Sequence, residues 1–321
     1  MRNSFCQAML ARAAQTPQLF FLTGDLGFMA LEPLRDALGE RFVNVGVSEQ
    51  SMIALAAGIR RNGGESWAYS IAPFCYARPF EQIRNDVCLN GLPVRLVGNG
   101  GGYAYGPMGG THHAIEDYGV LLTLSGLRVY VPAFGADVAP MVAAMGAREE
   151  PGYLRLGRSE VSDESALPAY QRWRCLLEGA AGLVVVAGPL AGKLWNAWQA
   201  RDRADRPALW VLGDWSADDQ ELPAALCQAI AAAPALAVVE EHVAQGGLAA
   251  WLLYRLALAG VACPPLHHAC ARGYPSGRYG SQAFHRRECG LEADTILEAL
   301  RAAAGLPASA LAGPAAQSVA V

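Results

Sequence analysis

No C-x-x-C pair, no run of basic residues and no apolar run long enough to cross a bilayer occurs in this 321-residue chain. Its eight cysteines, at positions 6, 75, 88, 175, 227, 263, 270 and 289, are scattered. That spacing argues against a zinc framework or a disulfide-stapled scaffold and reads as reduced thiols. His267 and His268, close to Cys270, lack ligand spacing because adjacent side chains point apart. Lysine is almost missing: of 25 basic residues only Lys193 is one, which reads as base composition rather than function. A net charge of -4 without basic clusters gives no ground for a nucleic-acid or anionic-membrane partner. The apolar stretch from Leu248 to Ala262 is interrupted by Arg255, and the N-terminus lacks the order of a secretory signal. A cytoplasmic protein without bound metal of its own is expected.

What the chain has is core. With 53% apolar residues it can fill two domains. A helix from Arg2 to Ala14 precedes a strand at Gln18 to Leu22; helices and strands then alternate. The expected helices are Leu31 to Leu38, the stretch after Glu49, Pro79 to Cys88, Ile115 to Leu124 and Ala136 to Gly146. The expected strands are Phe42 to Val45, read as short and buried, then Ser66 to Ser70, Val94 to Val97, Leu127 to Val131 and Tyr153 to Leu156. Alternation of this kind predicts right-handed crossovers and a mostly parallel, doubly wound α/β sheet. Arg158 to Arg174 is polar and aperiodic, so the linker is placed over residues 159–180, between a first domain of 1–158 and a second of 181–301. The second is again α/β, with apolar runs at Leu183 to Ala187, Ala208 to Leu212 and Leu236 to Val239. Residues 302–321 read as a frayed tail.

One acid stands out by position. Val45-Gly46-Val47-Ser48-Glu49-Gln50 joins a strand to a helix whose apolar residues Met52, Ile53, Leu55, Ala56 and Ile59 recur at helical spacing. Glu49 therefore sits where the carboxyl end of a strand meets a helix N-terminus, the usual crevice of an open α/β sheet. Either a favourable first-turn charge or a catalytic acid fits that place. Three more segments should project toward the same crevice. Ala72-Pro73-Phe74-Cys75-Tyr76 is an aromatic turn that serves packing or a ligand. Gly98 to Gly110 is glycine-dense, which predicts close approach of backbone to something bound, although it is no dinucleotide fingerprint. Thr111-His112-His113 follows at once, and its histidines are either acid-base groups or a solvated pair.

Read together, these segments resemble the pyrimidine-binding domain of transketolases. The motifs are Phe42 to Gln50, Phe80 to Asn85, Gly110-Thr111-His112-His113-Ala114-Ile115-Glu116-Asp117 and Tyr153 to Arg158, in the family's order and spacing. Val238-Val239-Glu240-Glu241-His242 with Gly246-Gly247, and Gly280 to Phe284, resemble the family's C-terminal domain. The resemblance implies a thiamine diphosphate enzyme that transfers a two-carbon ketol unit from a ketose to an aldehyde. Glu49 would hydrogen-bond the aminopyrimidine, with Ile71, Phe74 and Gln50 lining the cofactor, and His112 would relay protons near the reactive centre. Asp25, Met108, His113 and Arg158 match substrate-side positions. The family's Gly-Asp-Gly motif, which holds the diphosphate and Mg2+, is missing: Gly24-Asp25-Leu26 and Gly213-Asp214-Trp215 lack the last glycine. The resemblance thus implies the C-terminal half of a split enzyme, completed by a subunit carrying that motif, in an α2β2 assembly.

Two departures from the family bear on substrate. Met108 stands where transketolases carry an aspartate for a sugar hydroxyl, and glycine stands where they carry a phosphate-binding histidine. An apolar thioether cannot pair with a hydroxyl, so a non-standard ketose is expected, with Arg158 left to hold an anion. The competing readings are a 2-oxo acid dehydrogenase β subunit and a catalytically silent partner.

Overall fold

The computed structural model describes residues 1–27 and 29–306, so most of the tail expected over 302–321 lies outside the described residues. In the first half α1 (Arg2–Gln15), β1 (Leu19–Thr23), α2 (Glu32–Leu38), β2 (Phe42–Asn44), α3 (Glu49–Arg61) and β3 (Glu65–Ile71) follow one another. After α4 (Ala72–Tyr76), a single turn α5 (Phe80–Gln82) runs into a π-helical turn (Ile83–Cys88), where one helix over Pro79 to Cys88 was expected. Then come β4 (Arg95–Asn99), α6 (Asp117–Leu121), β5 (Arg128–Tyr130), α7 (Val138–Ala147) and β6 (Gly152–Leu156). The second half contains β7 (Trp173–Leu177), β8 (Leu183–Ala187), α8 (Leu190–Trp198), β9 (Ala208–Leu212), β10 (Asp214–Ser216), α9 (Ala224–Ala232) and β11 (Leu236–Val239). It closes with α10 (Leu248–Leu258), β12 (Leu266–Ala269), α11 (Gln282–Glu288) and α12 (Ala293–Ala303). Among the described residues no helix is long and apolar enough to cross a membrane.

Seven strands form one sheet in the order β10-β5-β6-β4-β3-β1-β2, and five form another in the order β12-β11-β8-β9-β7. All neighbours are parallel except β10 on β5 and β7 on β9. The architecture is α/β with two mostly parallel sheets. Strands β4, β6 and β8 are buried almost throughout, as a sheet covered by helices on both faces requires.

Three expectations need correction. Strand β2 is half-exposed rather than buried, because it is the outermost strand and has one neighbour. The stretch read as linker over 159–180 contains β7, whose Arg174 is buried and neutralised by Asp137 of the first half at 2.6 Å, so its charge hides an interior strand. Residues 214–216, downstream of the second unit's strand β9, form β10 and extend the first sheet, where Asp214 meets Arg128 at 3.1 Å.

The two halves are joined by a charged seam at the carboxyl end of β11. Glu240 is fully buried and accepts from the Leu248 and Ala249 amides at the start of α10, from the Tyr118 hydroxyl and from His268 Nε2. Glu241 accepts from the Tyr103 amide at 2.7 Å, from Gln282 Nε2 at 2.9 Å and from Arg286 Nε at 2.8 Å. His242 stacks on the Tyr118 ring at 3.8 Å and accepts from the Gly119 amide. Buried charges persist only when so partnered, so the seam fixes one arrangement of the two halves.

Candidate functional site

The carboxyl ends of β1, β2, β3, β4 and β6 all open toward one edge of the first sheet because those strands run parallel. Asp25 leaves β1 with φ 57°, a left-handed conformation that Asp tolerates better than most side chains. The Asn44 amide holds it: Asn44 Oδ1 accepts from the Asp25 and Gly46 amides, and Asn44 Nδ2 donates to Asp25 Oδ1 at 3.1 Å. Ser48 then caps α3 by position, and Glu49 is its first residue, 4% exposed.

Glu49 is not alone in its crevice. Arg78, which follows the short helix α4, donates from Nη1 to Glu49 Oε1 at 2.8 Å. Its guanidinium carbon also lies 3.8 Å from the centre of the Phe74 ring. Phe74 meets the His112 ring edge-on at 5.2 Å, and His112 touches the Tyr105 ring at 5.7 Å. Glu49, Arg78, Phe74, His112 and Tyr105 thus form one continuous contact chain. Among the described residues, no hydrogen bond reaches Glu49 Oε2. Val47, Ser48, Glu49, Gln50, Ser51 and Arg78 line an open pocket of about 440 Å³. Gln50 Nε2 donates weakly to the Arg78 carbonyl at 3.4 Å, and Ile71 ends β3 just before Phe74.

The two histidines part company. His112 is half-exposed in the crevice, its Nδ1 2.9 Å from Thr111 Oγ1. His113 is buried, with Nε2 2.8 Å from the Gly106 carbonyl, which can only accept, so Nε2 carries the proton and Nδ1 accepts from the Tyr274 hydroxyl. Burial holds the His113 imidazole below its ordinary value. Its ring packs among Tyr103, Tyr274 and His285 between the two halves. The structure therefore commits both His113 nitrogens to contacts at the joint between the halves, whereas His112 faces the crevice.

The glycine-rich loop also has a packing reason that its composition did not show. A Cβ on Gly101 would meet Arg155 at 2.4 Å, and one on Gly102, at φ 65°, would meet the Glu241 carboxylate at 2.6 Å. These two glycines make room for interior side chains. Arg155 is itself buried and paired with Asp117 at 2.8 Å. Met108 lies on the loop surface, 55% exposed. Arg158 is exposed and without a bonded partner among the described residues. It lines a cleft of about 700 Å³ with Tyr105, Ser159, Lys193, Gln282 and Arg286. Tyr105 lines this cleft and also contacts the His112 ring.

Arg78, Tyr105 and Glu116 were missed by sequence reasoning. Glu116 is held above the ordinary carboxyl value by burial and by neighbouring Asp117, and lies 3.4 Å from the Tyr76 hydroxyl. A lone arginine within the aromatic stretch from Phe74 to Phe80 was the one available signal for Arg78.

At this sheet edge an acid at a helix N-terminus, a part-exposed aromatic ring and a histidine are linked by side-chain contacts. Residues 1–163 match the family model described as "Transketolase, pyrimidine binding domain", and the chain belongs to that family. Its relatives include one of the subunits of an apulose-4-phosphate transketolase from Phocaeicola vulgatus, 28% identical over 78% of this chain and 81% of the relative. A 1-deoxy-D-xylulose-5-phosphate synthase of Mycobacterium sp. (strain KMS) is 29% identical over 77% of this chain, which spans only 39% of that protein. Among solved structures, a split-gene transketolase described as an inactive β4 tetramer superposes with a TM-score of 0.80 at 25% identity, covering 95% of this chain and 98% of that one. The fold and family together make the chain a transketolase-like subunit.

Proposed function

We propose that this chain is the pyrimidine-side subunit of a two-subunit, thiamine diphosphate-dependent enzyme that moves a two-carbon ketol unit from a non-standard ketose to an aldehyde. The observation that carries this reading is the contact chain from Glu49 through Phe74 to His112. The fit to the cofactor is partial, and the part that fits is informative. A buried carboxylate with one oxygen free of hydrogen bonds, next to a half-buried ring, suits an aminopyrimidine. The part that does not fit is the metal: among the described residues no group of three histidine, cysteine or acidic side chains could hold a metal ion. Magnesium and diphosphate would accordingly be held by a partner carrying the Gly-Asp-Gly motif. An α2β2 assembly is part of this proposal, by analogy with whole transketolases whose site lies between two protomers.

When bound, the cofactor supplies a thiazolium carbon able to carry the ketol unit between carbonyls. The chain's own residues do the rest. Glu49 shares a proton with the pyrimidine ring nitrogen from a nearly dry position, where a charge-assisted bond is strongest. Phe74 and Ile71 exclude water from the ring face, and Gln50 borders the pocket mouth. His112, reachable from solvent and oriented by Thr111, takes and returns protons at the substrate hydroxyl and carbonyl oxygens. Asp25, held by Asn44, borders the donor. Arg158, without a hydrogen-bonded partner among the described residues, binds an anionic group on the substrate through its planar fork. Met108 offers no hydrogen bond where a sugar hydroxyl would be held, which favours a ketose lacking the standard hydroxyl pattern. Relatives named for apulose-4-phosphate and for 6-deoxy-6-sulfo-D-fructose, each an unusual sugar with an anionic end, agree with this substrate class. The inactive state described for the β4 neighbour agrees with dependence on a partner.

Calorimetric titration with thiamine diphosphate and magnesium tests the reading. Saturable binding is expected for the mixture with the partner subunit and none for this chain alone. No binding by the mixture would remove the basis for the roles given to Glu49 and His112.

A further inference from the structure

Arg78 makes the same two contacts that the proposed ligand ring would need. Its guanidinium is a flat cation that donates an N–H to Glu49 Oε1 at 2.8 Å and lies 3.8 Å over the Phe74 ring. An aminopyrimidine bound by these groups would likewise present a ring nitrogen to the carboxylate and a face to the phenyl ring. Both cannot be there at once. The Arg78 guanidinium has no other hydrogen-bond acceptor among the described residues, and its side chain is 44% exposed. It can therefore swing into solvent on its three-methylene stem without breaking any other hydrogen bond among the described residues. The backbone from which it swings stays tied: the Ala77 amide donates to the Pro73 carbonyl, and the Arg78 carbonyl accepts from Gln50.

The physical need for such a group follows from burial. Glu49 is 4% exposed, and a carboxylate so placed is costly when left without a counter-charge. In a subunit that waits for its partner, Arg78 satisfies both the acid and the exposed ring.

We infer that Arg78 is an internal stand-in for the cofactor ring, seated between Glu49 and Phe74 in the cofactor-free subunit and displaced when the cofactor enters. This rests on the reading of Glu49 and Phe74 given above. Arg78 then acts as a positioning residue that sets cofactor affinity. It competes with the cofactor, so removing it strengthens binding even though it removes a contact from the site.

Two measurements test this on Arg78→Ala. In the two-subunit enzyme, calorimetry should give a thiamine diphosphate Kd lower by about fivefold, the combined strength of one half-exposed ion pair and one cation–π contact. Arg78→Lys, which keeps the charge but loses the flat stacking face, should fall between wild type and Arg78→Ala. Weaker or unchanged binding in Arg78→Ala would overturn the inference, because it would make Arg78 a ligand contact or a bystander. The second measurement needs no cofactor. Millimolar guanidinium chloride, compared with sodium chloride at equal ionic strength, should raise the melting temperature of the isolated Arg78→Ala subunit. It should fail to do so in Arg78→Ala/Glu49→Gln. Absence of a guanidinium-specific rise would also sink the stand-in. Absence of cofactor binding by wild type and variant alike, with the guanidinium effect present, would instead sink the cofactor reading and leave the Arg78 seat standing.

Discussion

Two acidic regions of this molecule, the Glu49 crevice and the Glu240-Glu241-His242 seam, are equally dry and differently furnished. In the seam each acid has three or more donors, drawn from both halves of the chain. In the crevice Glu49 has one donor among the described residues, carried on a half-exposed arginine. A saturated buried acid is spent on architecture, whereas an under-supplied one keeps capacity for something that arrives later. The contrast also separates two adjacent histidines: His113 has both nitrogens committed to the joint between the halves, and His112 keeps its ring in the open crevice.

Substitution in the seam should cost the most stability. Glu241→Ala leaves the Tyr103 amide and part of the Arg286 charge buried without their acceptor, a loss of about 3 kcal/mol by comparison with other broken buried pairs. Urea unfolding of the subunit measures it. A cost no larger than that of a conservative Glu49 substitution would erase the distinction between the regions.

A smaller effect separates them by pH. Burial holds the imidazoles of His113 and His242 below their ordinary value of 6.5. Both are therefore neutral in the folded state and take up protons more readily on unfolding. Their contribution to stability is fully present above pH 6.5 and is lost as pH falls from there toward the lowered folded values. Urea midpoints measured between about pH 7.5 and about pH 5.5 should fall with acid, and His242→Gln should flatten the fall. A midpoint indifferent to pH in the wild type would contradict the seam as described.

Much of this architecture can be read from residues in order. Strand-like apolar runs at Leu19, Ser66, Val94, Tyr153, Leu183 and Leu236 lie where β1, β3, β4, β6, β8 and β11 lie, because central parallel strands are buried on both faces. Glu49 was legible because a strand, an acid and an amphipathic helix are contiguous. Strands β7 and β10 were not, since Arg174 and Asp214 look like surface charge until Asp137 and Arg128 are brought to them from the other half. The packing reason for Gly102 was hidden in the same way: it makes room for Glu241, which is distant in the chain. Arg78 was invisible because its meaning is tertiary, given only by the two groups it bridges.

The central claim is that Glu49 is functional rather than architectural, and Glu49→Gln in the two-subunit enzyme tests it most directly. Glutamine keeps the shape but cannot share a proton as an acid. The account predicts ketol-transfer turnover lower by at least about 100-fold, with melting temperature and subunit association close to wild type. Turnover near wild type, or a subunit that no longer folds or assembles, would contradict it.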